Sequence, residues 1–262
     1  MVYADLHVHT DNSDGTLSIG SLPAAAREAG VAVVGVTDHD RPHPDLDAPV
    51  LERGGITIVH GIELRVSTPI QRLDLLGYAL DPTPELRAEV ERLGANRRER
   101  GRKIEARLEE SLGVSLDLEV DEHTGRPHLA RAVVDHPDTA YESIEGVFEE
   151  LLGSGRPCYV PRSVPDFERG VDLLAGAAAV VGLAHPFRYS DPGMALERCR
   201  DLDAVERYYP YGASVNADEE LLESVIESCD LLRTGGSDAH GSELGSAGLD
   251  RSAYDRVADH FA

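Results

Sequence analysis

Residues 3–36, YADLHVHTDNSDGTLSIGSLPAAAREAGVAVVGV, hold a strand, a helix and a second strand in succession. Tyr3 to His9 reads as a strand. Ser21 to Gly30 is a helix signature, with a Ser at the cap, an early Pro and a closing Gly. Val31 to Val36 is a continuous apolar run of the kind buried on both faces of a sheet, and Ile56 to Val59 and Leu73 to Leu76 repeat it. Strand, helix, strand in this rhythm predicts parallel βα units.

After Pro82 and Pro84 the pattern changes. Residues 86–112 carry apolar positions at helical spacing, among them Leu86, Val90, Leu93, Ile104, Leu108 and Leu112, and shorter helical patterns follow at 129–134 and 144–152. The Gly- and Pro-rich GSGRPCYVPRSVP closes this stretch. From Asp166 the βα rhythm resumes: VDLLAGAAA is helical, Val180 to Ala184 and Asp203 to Tyr208 are strands, DEELLESVIESC is a helix, and Leu231 to Gly235 leads into a last strand. The expected architecture is an α/β barrel of about seven units, formed by 1–81 and 166–262, with 82–165 as an inserted helical subdomain.

The chain has 262 residues and 28.3 kDa, of which 41% are hydrophobic and none is Trp, enough apolar content to exclude an acidic disordered segment. Asp and Glu number 48 against 25 Lys and Arg, for a net charge of −23, and Lys103 is the sole lysine. So acidic and lysine-poor a surface predicts a halophilic setting, where molar salt screens repulsion within about 3 Å. It argues against an electrostatic grip on long duplex DNA. Cys158, Cys199 and Cys229 form no C-x-x-C pair, which argues against a disulfide framework or a thiolate zinc site. The opening MVYADLHVHTD lacks a cationic segment followed by an apolar one, and no apolar run reaches membrane-spanning length, so the expected location is the cytoplasm.

Histidines and carboxylates recur where strands run out. His7 and His9 are two apart on a strand and share one face. His39 follows Val33–Val36, Glu63 follows Ile56–Val59, His185 follows Val180–Leu183, and Asp238 and His240 follow Leu231–Gly235. Asp14 lies in a Gly-bounded turn after the first strand. Imidazoles and carboxylates gathered at barrel strand ends form a divalent-cation donor set without thiolate, suited to Mn²⁺, Fe²⁺ or Zn²⁺.

DLHVHT, TDHD, GIE, AHP and GSDAH, in this order, resemble the signature blocks of the PHP family, named for polymerase and histidinol phosphatase. The resemblance implies a distorted (β/α)7 barrel holding two or three divalent metals. GRPHLAR at 125–131, RPCYVP at 156–161 and GLAHPFRY at 182–189 further resemble a branch that hydrolyses nucleoside 3′,5′-bisphosphates and trims short RNA from the 5′ end. By position it implies that His7, His9, Glu63 and Asp238 hold one metal, Glu63 and His185 a second, and Asp14, His39 and His240 a third. It also implies a metal-bridged hydroxide, held by Glu63, Asp238 and His185, as the nucleophile on phosphorus. Where related enzymes usually place a further His ligand, this chain has Asp74, which keeps the second position a ligand and makes it more anionic.

In the insertion, Arg97 and Arg100 share a helix face, and Arg126 and His128 open a helix. The resemblance makes all four candidate contacts for the phosphate that is not cleaved. Arg188 and Tyr189 are candidates for the substrate side, and Tyr208 and Tyr209 read mainly as packing. His60 reads as a core histidine, and His43, His123, His136 and His260 as solvated. The same blocks are compatible with one other activity, hydrolysis of another small phosphorylated sugar such as a cyclic ribose phosphate, and with a second, non-enzymatic role as a metal-free PHP-like binding module. The full ligand set disfavours the second.

Overall fold

The computed structural model describes residues 1–122 and 124–261; His123, expected in a polar loop, lies outside them. Among the described residues no helix is long and apolar enough to cross a membrane. The chain divides into two compact units, residues 1–87 with 164–262, and residues 88–163.

The first unit is a distorted (β/α)7 barrel. Its elements are β1 (Ala4–Val8), α1 (Leu22–Ala29), β2 (Val33–Val36), β3 (Val50–Arg53), β4 (Ile56–Ser67) and β5 (Arg72–Tyr78). After the second unit come α5 (Phe167–Ala175), β6 (Val180–Leu183), α6 (Pro192–Glu197), β7 (Ala204–Tyr208), α7 (Glu219–Cys229), β8 (Leu232–Gly235) and α8 (Arg251–Ala258). The sheet runs β1-β2-β4-β5-β6-β7-β8, with β3 paired to β4 off this path. A parallel bridge from Val8 to Ala239, just past β8, returns the sheet toward its first strand.

Local sequence explains the helices. Helix α1 has Pro23 in its first turn and ends on Gly30 at φ 72°, the left-handed conformation in which glycine carries no Cβ penalty, so that its N–H bonds the carbonyls of Ala26 and Arg27. Helices α5, α6, α7 and α8 each start on an aspartate, Asp166, Asp191, Asp218 and Asp250, whose carboxylate accepts a backbone N–H of the first turn. Their apolar faces, such as Leu173 and Leu174 of α5 or Leu222 and Ile226 of α7, are buried.

Two departures from the expected parallel rhythm bear on the site. Strand β5 is antiparallel to both β4 and β6. Its connection from β4 is a tight turn in which Thr68 N–H donates to Gln71 O and Gln71 N–H donates to Thr68 Oγ1, too short for the crossover a parallel pair requires. And β4 is twelve residues long, pairing parallel with β2 through His60 and antiparallel with β5 from Gly61 onward. Glu63, expected at a strand end, therefore sits within a strand, at the change of partner.

The second unit contains most of α2 (Pro84–Leu112), then α3 (Arg126–Asp135) and α4 (Ile144–Val147), which continues into a π-helical turn at Phe148–Leu152. It has a core of its own, in which Ile104 and Leu108 pack with Leu129, Val133, Val147, Leu152 and Cys158.

Candidate metal centre

Strand β1 supplies His7, and His9 follows it by one residue; both are fully buried. Around them the barrel brings Glu63 from β4, His39 from the loop after β2, His185 from the end of β6, and Asp238 and His240 from the loop after β8. His7 Nε2 lies 3.6 Å from Glu63 Oε2 and 3.5 Å from Asp238 Oδ1, and His9 Nε2 lies 3.4 Å and 3.0 Å from the same two oxygens. A second group joins His9 to Asp14, His39 and His240, with His240 Nε2 3.3 Å from Asp14 Oδ1 and His39 Nε2 3.6 Å from Asp14 Oδ2. Glu63 connects both groups, since its Oε2 is 2.7 Å from His39 Nδ1. A third group holds Glu63, Asp74 and His185, with His185 Nε2 2.9 Å from Glu63 Oε1 and 3.8 Å from Asp74 Oδ2. Arg65, opposite Asp74 in the β4–β5 ladder, bonds both carboxylate oxygens, Nε to Oδ1 at 2.6 Å and Nη2 to Oδ2 at 2.7 Å.

The backbone is bent to present these groups. His185 at φ 29° and Asp238 at φ 53° both lie at positive φ, where a residue with a Cβ persists only if its surroundings enforce it. Gly236 allows the post-β8 loop to approach β1, for a Cβ there would meet His7 N at 2.3 Å.

Three buried carboxylates that sequence reading did not single out provide the enforcement. Glu206 of β7 accepts from His7 Nδ1 at 3.0 Å and, through its other oxygen, from the backbone N–H of His185 at 2.7 Å. Asp5 accepts Ser237 N–H, Ser237 Oγ–H and Gly245 N–H, which ties the post-β8 loop to β1. Asp38 accepts from Thr10 N–H and Oγ–H, from Asn12 and from Ser13, which fixes the loop that carries Asp14. Asp5 and Asp38 lie inside DLHVHT and TDHD, between more conspicuous neighbours. Glu206 is marked in sequence only as an acidic residue at an inward strand position.

Burial opposes charge on His39, yet the carboxylates of Glu63 and Asp14 outweigh it and raise its pKa to about 9. His7 is likewise raised, against burial, by Glu206 and Glu63, while burial together with the neighbouring imidazoles lowers His9. Asp238 is held well below the usual carboxylate range, burial notwithstanding, by His9 and His7.

The donor set fits divalent cations. His7 Nε2, both ring nitrogens of His9, Glu63 Oε2 and Asp238 Oδ1 are buried without a hydrogen bond among the described residues; His7 Nε2, His9 Nε2 and the two carboxylate oxygens converge, and His9 Nδ1 faces Asp14. Buried polar atoms left in this way are costly unless something binds them. Oriented imidazoles and carboxylates, one imidazole backed by Glu206, are the usual equipment of a metal centre.

The centre opens into a cavity of about 530 Å³, lined also by Arg65, Arg72, Arg188, Gln71 and Ser190. Arg188 Nη1 lies 2.7 Å from Asp238 Oδ2, and Tyr209 OH donates to that oxygen at 2.8 Å. Tyr189 receives Asp74 N–H and donates to Ala184 O, and Tyr208 lies under the Arg207 guanidinium.

Arg97, Arg100, Arg126 and His128 belong to the second unit. Arg100 Nε donates to Val160 O, and Arg126 donates to Leu152 O and stacks over Phe148 and Tyr159. His128 Nδ1 accepts Gly125 N–H and so caps α3. His43, read as solvated, is buried, and its Nδ1 accepts Asp45 N–H. His60 is buried too, and burial together with the nearby His43 lowers its pKa to about 4.

The PHP domain family matches residues 5–148. The chain is 31% identical over 206 residues to the 3′,5′-nucleoside bisphosphate phosphatase of Chromobacterium violaceum, covering 76% of this chain and 72% of that protein. It is 29% identical over 206 residues to the 5′-3′ exoribonuclease Rnm of Salmonella typhimurium, covering 75% and 70% respectively. A solved structure of a proposed metal-dependent phosphoesterase from Bifidobacterium adolescentis shares the fold, with a TM-score of 0.76 at 23% identity over 99% of this chain and 96% of the other. With its ordered histidine and carboxylate motifs, its barrel and a match over more than half its length, the chain belongs to the PHP domain family.

Proposed function

We propose that this PHP-family hydrolase of phosphate esters removes the 3′-phosphate from nucleoside 3′,5′-bisphosphates and acts on short RNA from its 5′ end. The observation that carries the reading is the convergence of unbonded buried ligand atoms on a cavity rimmed by Arg65, Arg72 and Arg188. A cavity of about 530 Å³ lies inside the range of roughly 300–1,000 Å³ usual for small-molecule sites.

In this reading His7, His9, Glu63 and Asp238 hold one divalent cation, Asp14, His39 and His240 another, and His185 contributes beside Glu63. Such cations, when bound, neutralise phosphoryl charge and make water a competent nucleophile near neutral pH. The chain's own residues do the positioning. Glu206 fixes the His7 ring through Nδ1 and leaves Nε2 toward the centre. Arg188 and Tyr209 clamp one oxygen of Asp238, so its Oδ1 faces His7 and His9. Arg188, half exposed at the cavity, and Arg72 present guanidinium donors matched to phosphate oxygens. Arg97, Arg100, Arg126 and His128 are the proposed contacts of the second unit for the retained phosphate. The reaction has its setting in the cytoplasm.

The test is phosphate release by Mn²⁺-loaded protein from adenosine 3′,5′-bisphosphate, with 5′-AMP as the other product, beside a 5′-phosphorylated RNA oligomer and a cyclic ribose phosphate. Turnover of the bisphosphate well above the cyclic ester supports the assignment. Background rates with bisphosphate and RNA at both low and molar salt would end it, and turnover of the cyclic ester alone would replace it with the other phosphorylated-sugar activity.

A further inference from the structure

The three candidate ligand groups differ in what their donor atoms already bind. Around His7, His9, Glu63 and Asp238 the inward atoms make no hydrogen bond among the described residues. In the Glu63, Asp74 and His185 group, both Asp74 oxygens are taken by the two-pronged Arg65 guanidinium, and His185 Nε2 already lies 2.9 Å from Glu63 Oε1. The pairing is built into the sheet. Arg65 and Asp74 are direct cross-strand partners in β4 and β5, Asp74 is almost fully buried, and Tyr189 and Ala184 fix its backbone on both sides. A planar guanidinium meeting a buried carboxylate edge-on is the strongest of the common ion-pair geometries. A divalent cation there would have to displace one of its two bonds and then sit beside a fixed positive charge.

We propose that Arg65 stands where a third cation would otherwise be held: its pair with Asp74 closes the Glu63, Asp74 and His185 group to metal, so the chain binds two divalent ions. Arg65 Nη1 makes no hydrogen bond among the described residues, and Arg65 lines the same cavity as Arg72 and Arg188. The guanidinium therefore neutralises Asp74 with one edge and offers the other to a phosphoryl oxygen, as a fixed charge independent of metal supply. Arg65 is on this account a substrate-binding residue, and Asp74 its positioning partner. The inference rests on the reading of the centre as a metal site.

The test is metal content of the full chain after equilibration with excess Mn²⁺ and desalting, read by elemental analysis and by Mn²⁺ titration calorimetry. The wild type is expected to retain two equivalents. Asp74→Asn should also retain two, because Asp74 is not a ligand, and Arg65→Ala combined with Asp74→His should gain a third. Three equivalents in the wild type, or a loss of one in Asp74→Asn, would overturn the proposal, as would a folded double variant that stays at two. Fewer than two equivalents in a folded wild type would instead overturn the reading of the centre itself, and this inference with it.

Discussion

Glu206 Oε1 lies 3.0 Å from His7 Nδ1, with both side chains fully buried, and its Oε2 receives the backbone N–H of His185. A single carboxylate on β7 thus sets the ring of a candidate ligand on β1 and the entry to the left-handed turn at His185 after β6. Glu206→Gln keeps the shape and removes the charge. Loss of such a supporting carboxylate typically weakens metal binding by about 10- to 100-fold. Calorimetric Mn²⁺ titration should show that loss with the thermal midpoint of the metal-free protein little changed; an unaltered affinity would mean that Glu206 only fills space.

How far sequence carries is visible in this pair. His7 is conspicuous because H-x-H places two residues on one strand face, whereas Glu206 is one of 48 acidic residues, distinguishable only by directly following the buried apolar pair Ala204 and Val205. The barrel, the helical insertion and the gathered histidines follow from local periodicity, caps and strand-end positions. The reversal of β5 did not, because a four-residue Thr68–Gln71 turn and a βα crossover both separate two apolar runs, and only the hydrogen bonds of the turn tell them apart. For the same reason the Arg65–Asp74 pair was illegible: it exists only in the antiparallel register. His128 opens a helix as read, and one of its ring nitrogens, Nδ1, caps α3, a role that only the local backbone geometry reveals.

Metal removal should destabilise the protein. Cations that bind only the folded chain stabilise it by about 2.7 kcal/mol at a concentration 100 times Kd. For a chain of this size that raises the midpoint by roughly 5–10 °C. Scanning calorimetry of EDTA-treated protein with and without Mn²⁺ measures the shift. The increment should shrink in His9→Gln, whose two ring nitrogens make no hydrogen bond among the described residues and face the carboxylates of Asp14, Glu63 and Asp238, and an increment equal to that of the wild type would place the stabilising ions elsewhere.

His60 gives the barrel an acid limit that is separate from the ligand groups. Its folded pKa of about 4 lies below the ordinary 6.5, so the fold favours the neutral ring. The full benefit is present above about 6.5, declines as pH falls below that value, and is exhausted once pH drops through about 4. The size is at most on the order of 3 kcal/mol. Urea unfolding of wild type and His60→Gln at pH 7.5 and pH 4.5 separates the effects: the variant loses packing at both pH values but should lose less stability on acidification. Parallel pH profiles would assign the acid sensitivity to the other buried groups.

The net charge of −23 predicts that potassium chloride stabilises the fold. Two effects compete. Salt weakens surface pairs such as Arg207 with Glu219 and Glu223, or Arg233 with Glu223, each worth about 0–1 kcal/mol. It also screens the mutual repulsion of the excess carboxylates, which acts over the whole surface. Between 0.1 M and 1 M salt the screening length falls from about 10 Å to about 3 Å, shorter than the spacing of most exposed charges but comparable to a paired contact. Long-range repulsion is therefore lost before short pairs are, and the midpoint of thermal unfolding should rise across this range. A midpoint that stays level or falls would show that the acidic surface is already balanced at low salt, and the halophilic expectation would be wrong. If it rises, phosphate release should be assayed at molar salt, where the arginine-lined cavity must hold its anionic substrate through close, partly buried contacts that salt screens least.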